Sequence, residues 1–66
     1  MVLQVNGHPK TVPPNTTVTK LLFSLSLSEK GVAVAINRVV VPHSNHSLVT
    51  LCEGDNVEVI QAVGGG

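Results

Sequence analysis

The sequence predicts an α+β fold in which one helix covers one face of a small sheet. Short β-branched segments near both ends and in the middle of the chain indicate strands. A single segment has apolar residues at helical spacing, and Gly, Pro and Asn pairs separate the elements. Because the chain has only 66 residues, one domain is expected, and one helix can cover only one face of its sheet.

The N-terminal segment predicts a β-hairpin. Residues 1–5 are apolar except for one glutamine, which indicates a first strand. Asn6 and Gly7 both tolerate a positive φ and favour a tight turn, after which residues 10–12 form the returning strand. Pro9 has no amide hydrogen, so it suits an edge strand or the start of a strand.

The helix is predicted to begin after Thr17, whose hydroxyl can accept a hydrogen bond from the first turn. The apolar residues that follow recur at i, i+3, i+4 and i+7, which places them on one helix face: Val18, Leu21, Leu22 and Leu25. Serines in the later part compete for backbone hydrogen bonds. We therefore expect the helix to end near Leu27, with Gly31 as the stop signal.

Three more strands are predicted in the second half of the chain. Residues 32–36 are continuously apolar, and residues 39–41 return after a short turn at Asn37 and Arg38. Residues 57–63 form the final strand. The predicted order is strand, strand, helix, strand, strand, short turn, strand.

Loop-like segments separate the last two strands. Residues 43–47 are polar and predict a solvated loop, while Leu48 and Leu51 are spaced to anchor a short helical turn. The sequence Glu53-Gly54-Asp55 predicts a tight turn directly before the final strand.

Composition argues against several classes of function. The formal net charge is zero and only 12% of residues are charged, without a basic cluster. Aromatic residues for base stacking are nearly absent, so we expect no nucleic-acid partner. No apolar stretch approaches the roughly 20 residues of a membrane helix, and no signal peptide is recognisable. A cytoplasmic protein without membrane contact is expected, and a single cysteine fits a reducing compartment.

Two histidines, one cysteine and two carboxylates are candidate site residues. His43 and His46 have a metal-compatible spacing, but zinc sites need three or four ligands, so solvated loop histidines and no metal are expected. Cys52 has no basic neighbour to activate it, which favours a small packing residue over a nucleophile. Glu53 and Asp55 flank a glycine, which favours a solvated turn over a catalytic carboxylate pair.

The chain ends in Gly64-Gly65-Gly66. Glycine has no Cβ, so such an end can thread a narrow channel and present its carboxylate to the active site of another protein. The alternative is an inert flexible end, since Gly-rich tails are mobile and termini are often disordered. The expected organisation is a folded domain over residues 1–63 and a flexible tail over residues 64–66.

Short motifs occur along the whole chain in a specific order. They are Val5-Asn6-Gly7, Thr17-Val18, Leu21-Leu22, Val34-Ala35-Ile36-Asn37, Val41-Pro42, Glu53-Gly54-Asp55 and the terminal Gly65-Gly66. In these motifs the chain resembles the ubiquitin-like β-grasp sulfur carriers, most closely the ThiS family of thiamine biosynthesis. The resemblance implies a mixed sheet of four to five strands on one helix, with the first and last strands parallel at its centre.

The resemblance also implies a chemistry for the tail. A partner enzyme of the ubiquitin-activating type uses ATP to adenylate the carboxylate of Gly66, with Gly65 and Gly64 as a slender connection. Sulfur from cysteine, delivered through a cysteine desulfurase, then replaces AMP to give a thiocarboxylate, and thiazole synthase takes that sulfur. The chain itself would be a co-substrate without a bound cofactor, not an enzyme.

A docking surface for these partners is predicted on the sheet. Val57 and Val59 share one face of the last strand, so Ile60 and Ala62 lie on the other, where Ala35 should join them. Exposed apolar patches commonly mark docking sites, although single exposed apolar residues are also common. We expect Ile60, Ala62, Ala35 and Gly64 to contact partners.

Other functions remain open at this stage. Carriers for molybdopterin or for tRNA thiolation share the fold and the terminal Gly pair. A ubiquitin-like modifier would use the same activated carboxylate but join it to lysines. A plain binding module with an inert tail is the third alternative.

Overall fold

Five strands and one α-helix form a two-layer arrangement in this structure, a computed structural model that describes residues 1–28 and 30–61. The elements are β1 (Val2–Val5), β2 (His8–Thr11), α1 (Val18–Ser24), β3 (Val32–Ile36), β4 (Val39–Val41), a 3₁₀ turn (His43–Asn45) and β5 (Asn56–Gln61). The element order is the one predicted, and β3 and β4 have the predicted bounds.

The sheet is mixed, with the order β2-β1-β5-β3-β4. The central strand β5 runs parallel to β1, with Val57 opposite Val5, and antiparallel to β3, with Val59 opposite Val34. The parallel pairing of the first and last strands at the centre confirms the topology that the resemblance implied.

The strand β2 begins earlier than predicted and includes Pro9. This is compatible with pairing because β2 is an edge strand. Val5 and His8 flank the two-residue turn, so the next pair, Gln4 and Pro9, is not hydrogen-bonded. The proline nitrogen therefore faces away from β1 and removes no bond of the ladder.

The helix α1 begins at the predicted cap. The amide of Lys20 donates to Oγ1 of Thr17 at 3.2 Å, and the predicted face packs inward, since Val18, Leu21 and Leu22 have no exposed surface. The side chains of this face form the core with residues from β1, β3 and β5. The buried members of the core cluster among the described residues are all Leu and Val, and burial of each of these Leu side chains contributes on the order of 2 kcal/mol.

The helix ends at Ser24, one turn before the predicted end at Leu27. The reason is a Schellman-type ending at Ser26, which has a left-handed φ of 60°. The Leu27 amide donates back to the Leu22 carbonyl at 2.9 Å, and the Leu27 side chain packs against the core. The stop therefore lies at Ser26, and Gly31 instead supplies a positive φ of 68° immediately before β3.

The segment between β4 and β5 differs from its prediction. The helical turn lies at His43–Asn45, inside the segment expected to be polar loop, and not around Leu48, which is 75% exposed. His46 is 1% exposed, so the prediction of a solvated histidine is wrong for this residue. The amide of Thr19 donates to the His46 carbonyl at 3.1 Å, which draws the loop against the start of α1 and encloses the imidazole.

Candidate functional site

The strand β5 leads directly towards the C-terminus, so its surroundings define the site. Val57 and Val59 are 1% and 9% exposed and pack into the core beneath α1. β5 lies between two neighbouring strands, β1 and β3. A strand that is central and buried on one face opens only with much of the fold, so β5 gives the tail a rigid base.

The side chain of Asn6 continues the pairing of β1 along β5. Its backbone amide donates to the Val57 carbonyl at 2.9 Å. Its carboxamide then bonds the next position of β5 twice, since Oδ1 accepts from the Val59 amide at 2.8 Å and Nδ2 donates to the Val59 carbonyl at 3.1 Å. We call this pair of bonds the Asn6 clamp.

A second asparagine holds the opposite end of β5. The Asn37 carboxamide accepts from the Asn56 amide at 3.0 Å and donates to Oδ1 of Asp55 at 3.1 Å. The other carboxylate oxygen of Asp55 accepts from the Cys52 amide at 2.8 Å. We call these bonds the Asn37 clamp.

From the sequence, both asparagines are predicted only as turn residues. A usable signal was present, because Asn occupies the first position of both predicted two-residue turns. A carboxamide offers one donor and one acceptor group, which is what a backbone peptide of a strand needs. The choice between a turn residue and a clamp requires knowing which strand lies beside the turn, and the sequence alone does not show that.

The outer face of the sheet carries the predicted apolar surface. Ile60 is 62% exposed and lies opposite Ala33 on β3. Ala35 is half-buried and lies between Glu58 and Val40, and Val40 is 70% exposed. The structure thus brings Ile60 and Ala35 to one face, and their role in docking stays a prediction.

The remaining predicted site residues lie outside the described part of the chain. These are Ala62, Gly64, Gly65 and Gly66, together with the predicted boundary between residues 63 and 64. The site that can be described therefore consists of the root of the tail, its two clamps and the outer sheet face.

The expectation for Cys52 needs correction. Cys52 is exposed and is not a core residue, because the inward position is taken by its neighbour Leu51, which is 2% exposed. The predicted turn is present at Glu53 and Gly54 with Glu53 exposed, and both carboxylates also make hydrogen bonds that hold the turn in place. Both Glu53 oxygens lie within 3.3 Å of the Val2 amide, and Asp55 belongs to the Asn37 clamp. Glu53 therefore ties its turn to β1. Asp55 ties the same turn to Cys52 and to Asn37 in the β3–β4 turn.

The described residues contain no group of three His, Cys, Asp or Glu side chains that could hold a metal ion. His43 and His46 do come together, with ring centroids 5.1 Å apart. Within residues 1–28 and 30–61, no helix has the length and apolar character needed to cross a membrane.

Open hollows on the described surface include one at an end of the sheet and one along β4. One of about 450 Å³ lies on the polar end of the sheet beside Arg38 and Glu58. The other, of about 340 Å³, lies along β4 and is lined mainly by aliphatic residues. Neither lining includes a cysteine or a histidine.

The sequence was compared with known families and curated proteins. The family model described as the ThiS family matches residues 3–66. The sulfur carrier protein ThiS of Bacillus subtilis is 35% identical over 66 residues, which cover 98% of this chain and 100% of that one. Thiazole synthases of Magnetococcus marinus and Paramagnetospirillum magneticum are 36% and 35% identical over 66 residues, but the chain spans only 20% of their length.

Solved structures give the same result for the fold. The crystal structure of a thiamine biosynthesis protein, ThiS, from Geobacter metallireducens matches with a TM-score of 0.84 at 36% identity. That match covers 100% of both chains, so the whole two-layer arrangement is shared.

Proposed function

Because this chain belongs to the ThiS family, the sulfur carriers of thiamine biosynthesis, we propose that the carboxylate of Gly66 is the group that carries its sulfur. The observation that supports this proposal best is the extent of the family match, which runs to residue 66 and so includes all three terminal glycines. A side chain at these positions would widen the segment that must enter a partner's active site.

The proposed chemistry starts from the poor reactivity of a carboxylate towards nucleophiles. A carboxylate oxygen of Gly66 attacks the α-phosphorus of ATP in an adenylating partner and releases pyrophosphate. The carbonyl carbon of the acyl-adenylate is then attacked by the outer sulfur of a persulfide that a desulfurase forms from cysteine, and AMP leaves. A thiol then cleaves the resulting acyl disulfide, so a thiocarboxylate remains on Gly66 and the sulfur-delivering thiol leaves as a disulfide with the attacking thiol. ATP is bound and consumed by the partner, and this chain holds no cofactor.

The chain therefore acts as a co-substrate, and its partners are the enzymes. We propose an adenylating enzyme of the ubiquitin-activating type as the first partner and a thiazole synthase as the second, with the desulfurase acting indirectly. The relatives named thiazole synthase support the second partner, because in them a segment similar to this whole chain is part of the synthase polypeptide. We also propose a cytoplasmic location for the chain, in keeping with its proposed role as a sulfur carrier.

We propose the outer face of the sheet as the docking surface. Ile60 is its most prominent described apolar side chain on β5, and Ala33, Ala35 and Val40 continue the apolar surface towards β4. Ala62 and Gly64 would extend this contact towards the tail. A partner that covers this face also holds the strand from which the reactive carboxylate projects, so docking and delivery of the carboxylate are coupled.

The central experiment measures the intact mass of the chain after incubation with ATP, the adenylating enzyme and a sulfur donor. We expect one exchange of oxygen for sulfur, mapped to Gly66, and its transfer when thiazole synthase and its small substrates are added. Deletion of Gly66 should abolish the exchange while the circular dichroism spectrum stays unchanged. Retained exchange in the deletion variant would contradict the proposed site.

The same assay separates the alternatives. Adducts on lysines would indicate a ubiquitin-like modifier. A thiocarboxylate that thiazole synthase ignores but a molybdopterin or tRNA-thiolating system consumes would indicate another carrier. No change with an enzyme that is active on its own carrier would indicate a plain binding module.

The docking surface is tested by Ile60→Asp. This substitution places a charge on the apolar outer face of the sheet, and it should not unfold the domain because Ile60 is not in the core. We expect the KM of the adenylating enzyme for the carrier to rise about tenfold, as for loss of a central apolar contact. Leu48→Asp is the matched control, because Leu48 is similarly exposed but lies in the loop before β5 and not on the sheet. Equal KM values for both folded variants would argue against this surface.

A further inference from the structure

The Asn6 clamp lies where β1 has already ended. β1 ends at Val5, and Asn6 has a φ of 50° because it occupies the first position of the β1–β2 turn. The backbone therefore leaves β5 at this point, but the carboxamide turns back and bonds both the amide and the carbonyl of Val59. The side chain replaces the residue that a longer β1 would have contributed.

The clamp decides how far along β5 both edges are bonded. With it, bonding on the β1 side extends to Val59, whereas the backbone of β1 alone reaches only Val57. Beyond Val59, the described residues Ile60 and Gln61 pair with β3. The clamp thus moves the last position held on both edges two residues closer to the tail.

The clamp holds β5 directly before the proposed docking residue. Val59 is bonded through both its amide and its carbonyl, and Ile60 is the next residue of the strand. Because Ile60 and Gln61 pair only with β3, loss of the clamp would leave this end of β5 held on one edge alone. The strand end and its exposed apolar side chain could then shift relative to the rest of the sheet.

We propose that Asn6 is a positioning residue for sulfur loading. Its carboxamide holds the root of the tail so that the docking face and the Gly66 carboxylate reach the adenylating enzyme in a fixed relation. This inference rests on the proposed function of Gly66, but the clamp can be tested separately from it.

The competing explanation is that Asn6 only forms its turn. Asn37 provides an internal control for that explanation. It also has a φ of 50°, also occupies the first position of a two-residue turn, and also makes two side-chain hydrogen bonds. It differs in that it holds Asn56, at the end of β5 that lies far from the tail. Removing either side chain should lower the free energy of unfolding by a similar amount. Only removal of the Asn6 side chain should raise the KM of the adenylating enzyme for the carrier.

The experiment compares Asn6→Gly with Asn37→Gly in the full chain. Glycine accepts the positive φ of both turns, so each substitution removes the clamp and keeps the turn. In Asn6→Gly we expect amide exchange at Val59 to accelerate roughly fivefold or more, as for loss of one net hydrogen bond. The KM for the carrier in thiocarboxylate formation should rise about three- to tenfold with kcat within about twofold, because tail presentation and not chemistry is changed.

Asn37→Gly should lower the urea midpoint by about as much as Asn6→Gly does. It should, however, leave the KM for the carrier within about twofold of the parent value. A further variant, Asn6→Asp, keeps an acceptor for the Val59 amide and removes the donor, so its KM should fall between those of the parent chain and Asn6→Gly.

Four outcomes would overturn the inference. Equal KM changes in Asn6→Gly and Asn37→Gly would assign the effect to stability. Unchanged amide exchange at Val59 in Asn6→Gly would show that the clamp does not hold β5. Absence of a thiocarboxylate in the parent chain would overturn the proposed function and the inference with it, whereas normal loading with unchanged KM in Asn6→Gly would overturn the inference alone.

Discussion

The two hairpin turns of this protein have similar backbones but different second residues. In the β1–β2 turn, Asn6 and Gly7 have φ values of 50° and 82°, and in the β3–β4 turn, Asn37 and Arg38 have φ values of 50° and 70°. Positive φ at both central positions is typical of the type I′ turns that suit the twist of a hairpin. The first position is Asn in both, whereas the second is Gly in one and Arg in the other.

The comparison separates two tasks within a turn. The shared Asn residues bond β5 through their carboxamides, so the first position contributes to tertiary structure. The second position only has to tolerate its φ, which Gly7 does without strain and Arg38 does at a cost of roughly 1 kcal/mol. A hairpin can therefore accept an unfavourable residue locally when the neighbouring residue ties it to the rest of the sheet.

The two hairpins also differ at the edges of the sheet. The outer strand β2 carries Pro9 and Lys10, which discourage pairing with another chain. The outer strand β4 carries three valines, of which Val39 and Val40 are 67% and 70% exposed. The apolar edge strand β4 adjoins the proposed docking face. The edge strand β2, which carries Pro9 and Lys10, lies at the other edge of the sheet.

The largest expected effect concerns Asp55, whose carboxylate supports Asn37 in the β3–β4 turn and has no counterpart at the β1–β2 turn. Asp55→Ala removes the acceptors of the Asn37 side chain and of the Cys52 amide, so we expect a loss of about 2–3 kcal/mol in the free energy of unfolding. Asp55→Asn keeps one acceptor and should cost about 1 kcal/mol. Urea denaturation followed by circular dichroism measures both, and a loss below about 0.5 kcal/mol in Asp55→Ala would show that Asn37 holds Asn56 unaided.

The next effect tests the backbone of the first turn. Gly7→Ala should lower the free energy of unfolding by about 0.5–1 kcal/mol, because the strain of a left-handed φ of 82° at about 1–2 kcal/mol exceeds the unfolded-chain entropy that alanine removes at about 0.4–1 kcal/mol. Steric crowding cannot contribute, since no heavy atom would lie within 4 Å of the added Cβ outside the adjacent residues. An unchanged urea midpoint would mean that the turn relaxes to another conformation, which amide exchange at Asn6 would detect.

The smallest effect has the opposite sign. Arg38→Gly should raise the free energy of unfolding by about 0.5 kcal/mol, because relief of the left-handed strain at about 1–2 kcal/mol exceeds the added entropy of the unfolded chain at about 0.4–1 kcal/mol. The change is best measured as the difference in urea midpoint at equal m-values. A destabilised variant would indicate that the Arg38 side chain contributes a contact that offsets its backbone strain.

Much of the fold could be predicted because local rules and tertiary structure agree. The β-branched residues of β3 and β4, the turn residues between them and the Thr17 cap each have one strong local preference, and the sheet uses all of them. The faces of β5 were predicted for the same reason, since alternation along a strand is fixed by its geometry.

The errors occur where tertiary packing overrides the local signal. Gly31 was predicted to end the helix and Ser26 only to weaken it, but packing of Leu27 against the core accompanies an ending at Ser26. His46 and Cys52 lie in polar segments whose path the sequence leaves open. A bond from Thr19 encloses the first, and the inward turn of Leu51 exposes the second.

For this protein, the sequence by itself determined the elements, the helix-facing side of the sheet and the family with its terminal glycines, because these depend on periodicity, turn chemistry and ordered motifs. Only the tertiary structure decided what the turn asparagines do. A carboxamide can bond its own turn or a neighbouring strand, and the choice depends on which backbone groups lie within about 3 Å once the sheet has formed. Here both asparagines meet the central strand β5, at Val59 and at Asn56.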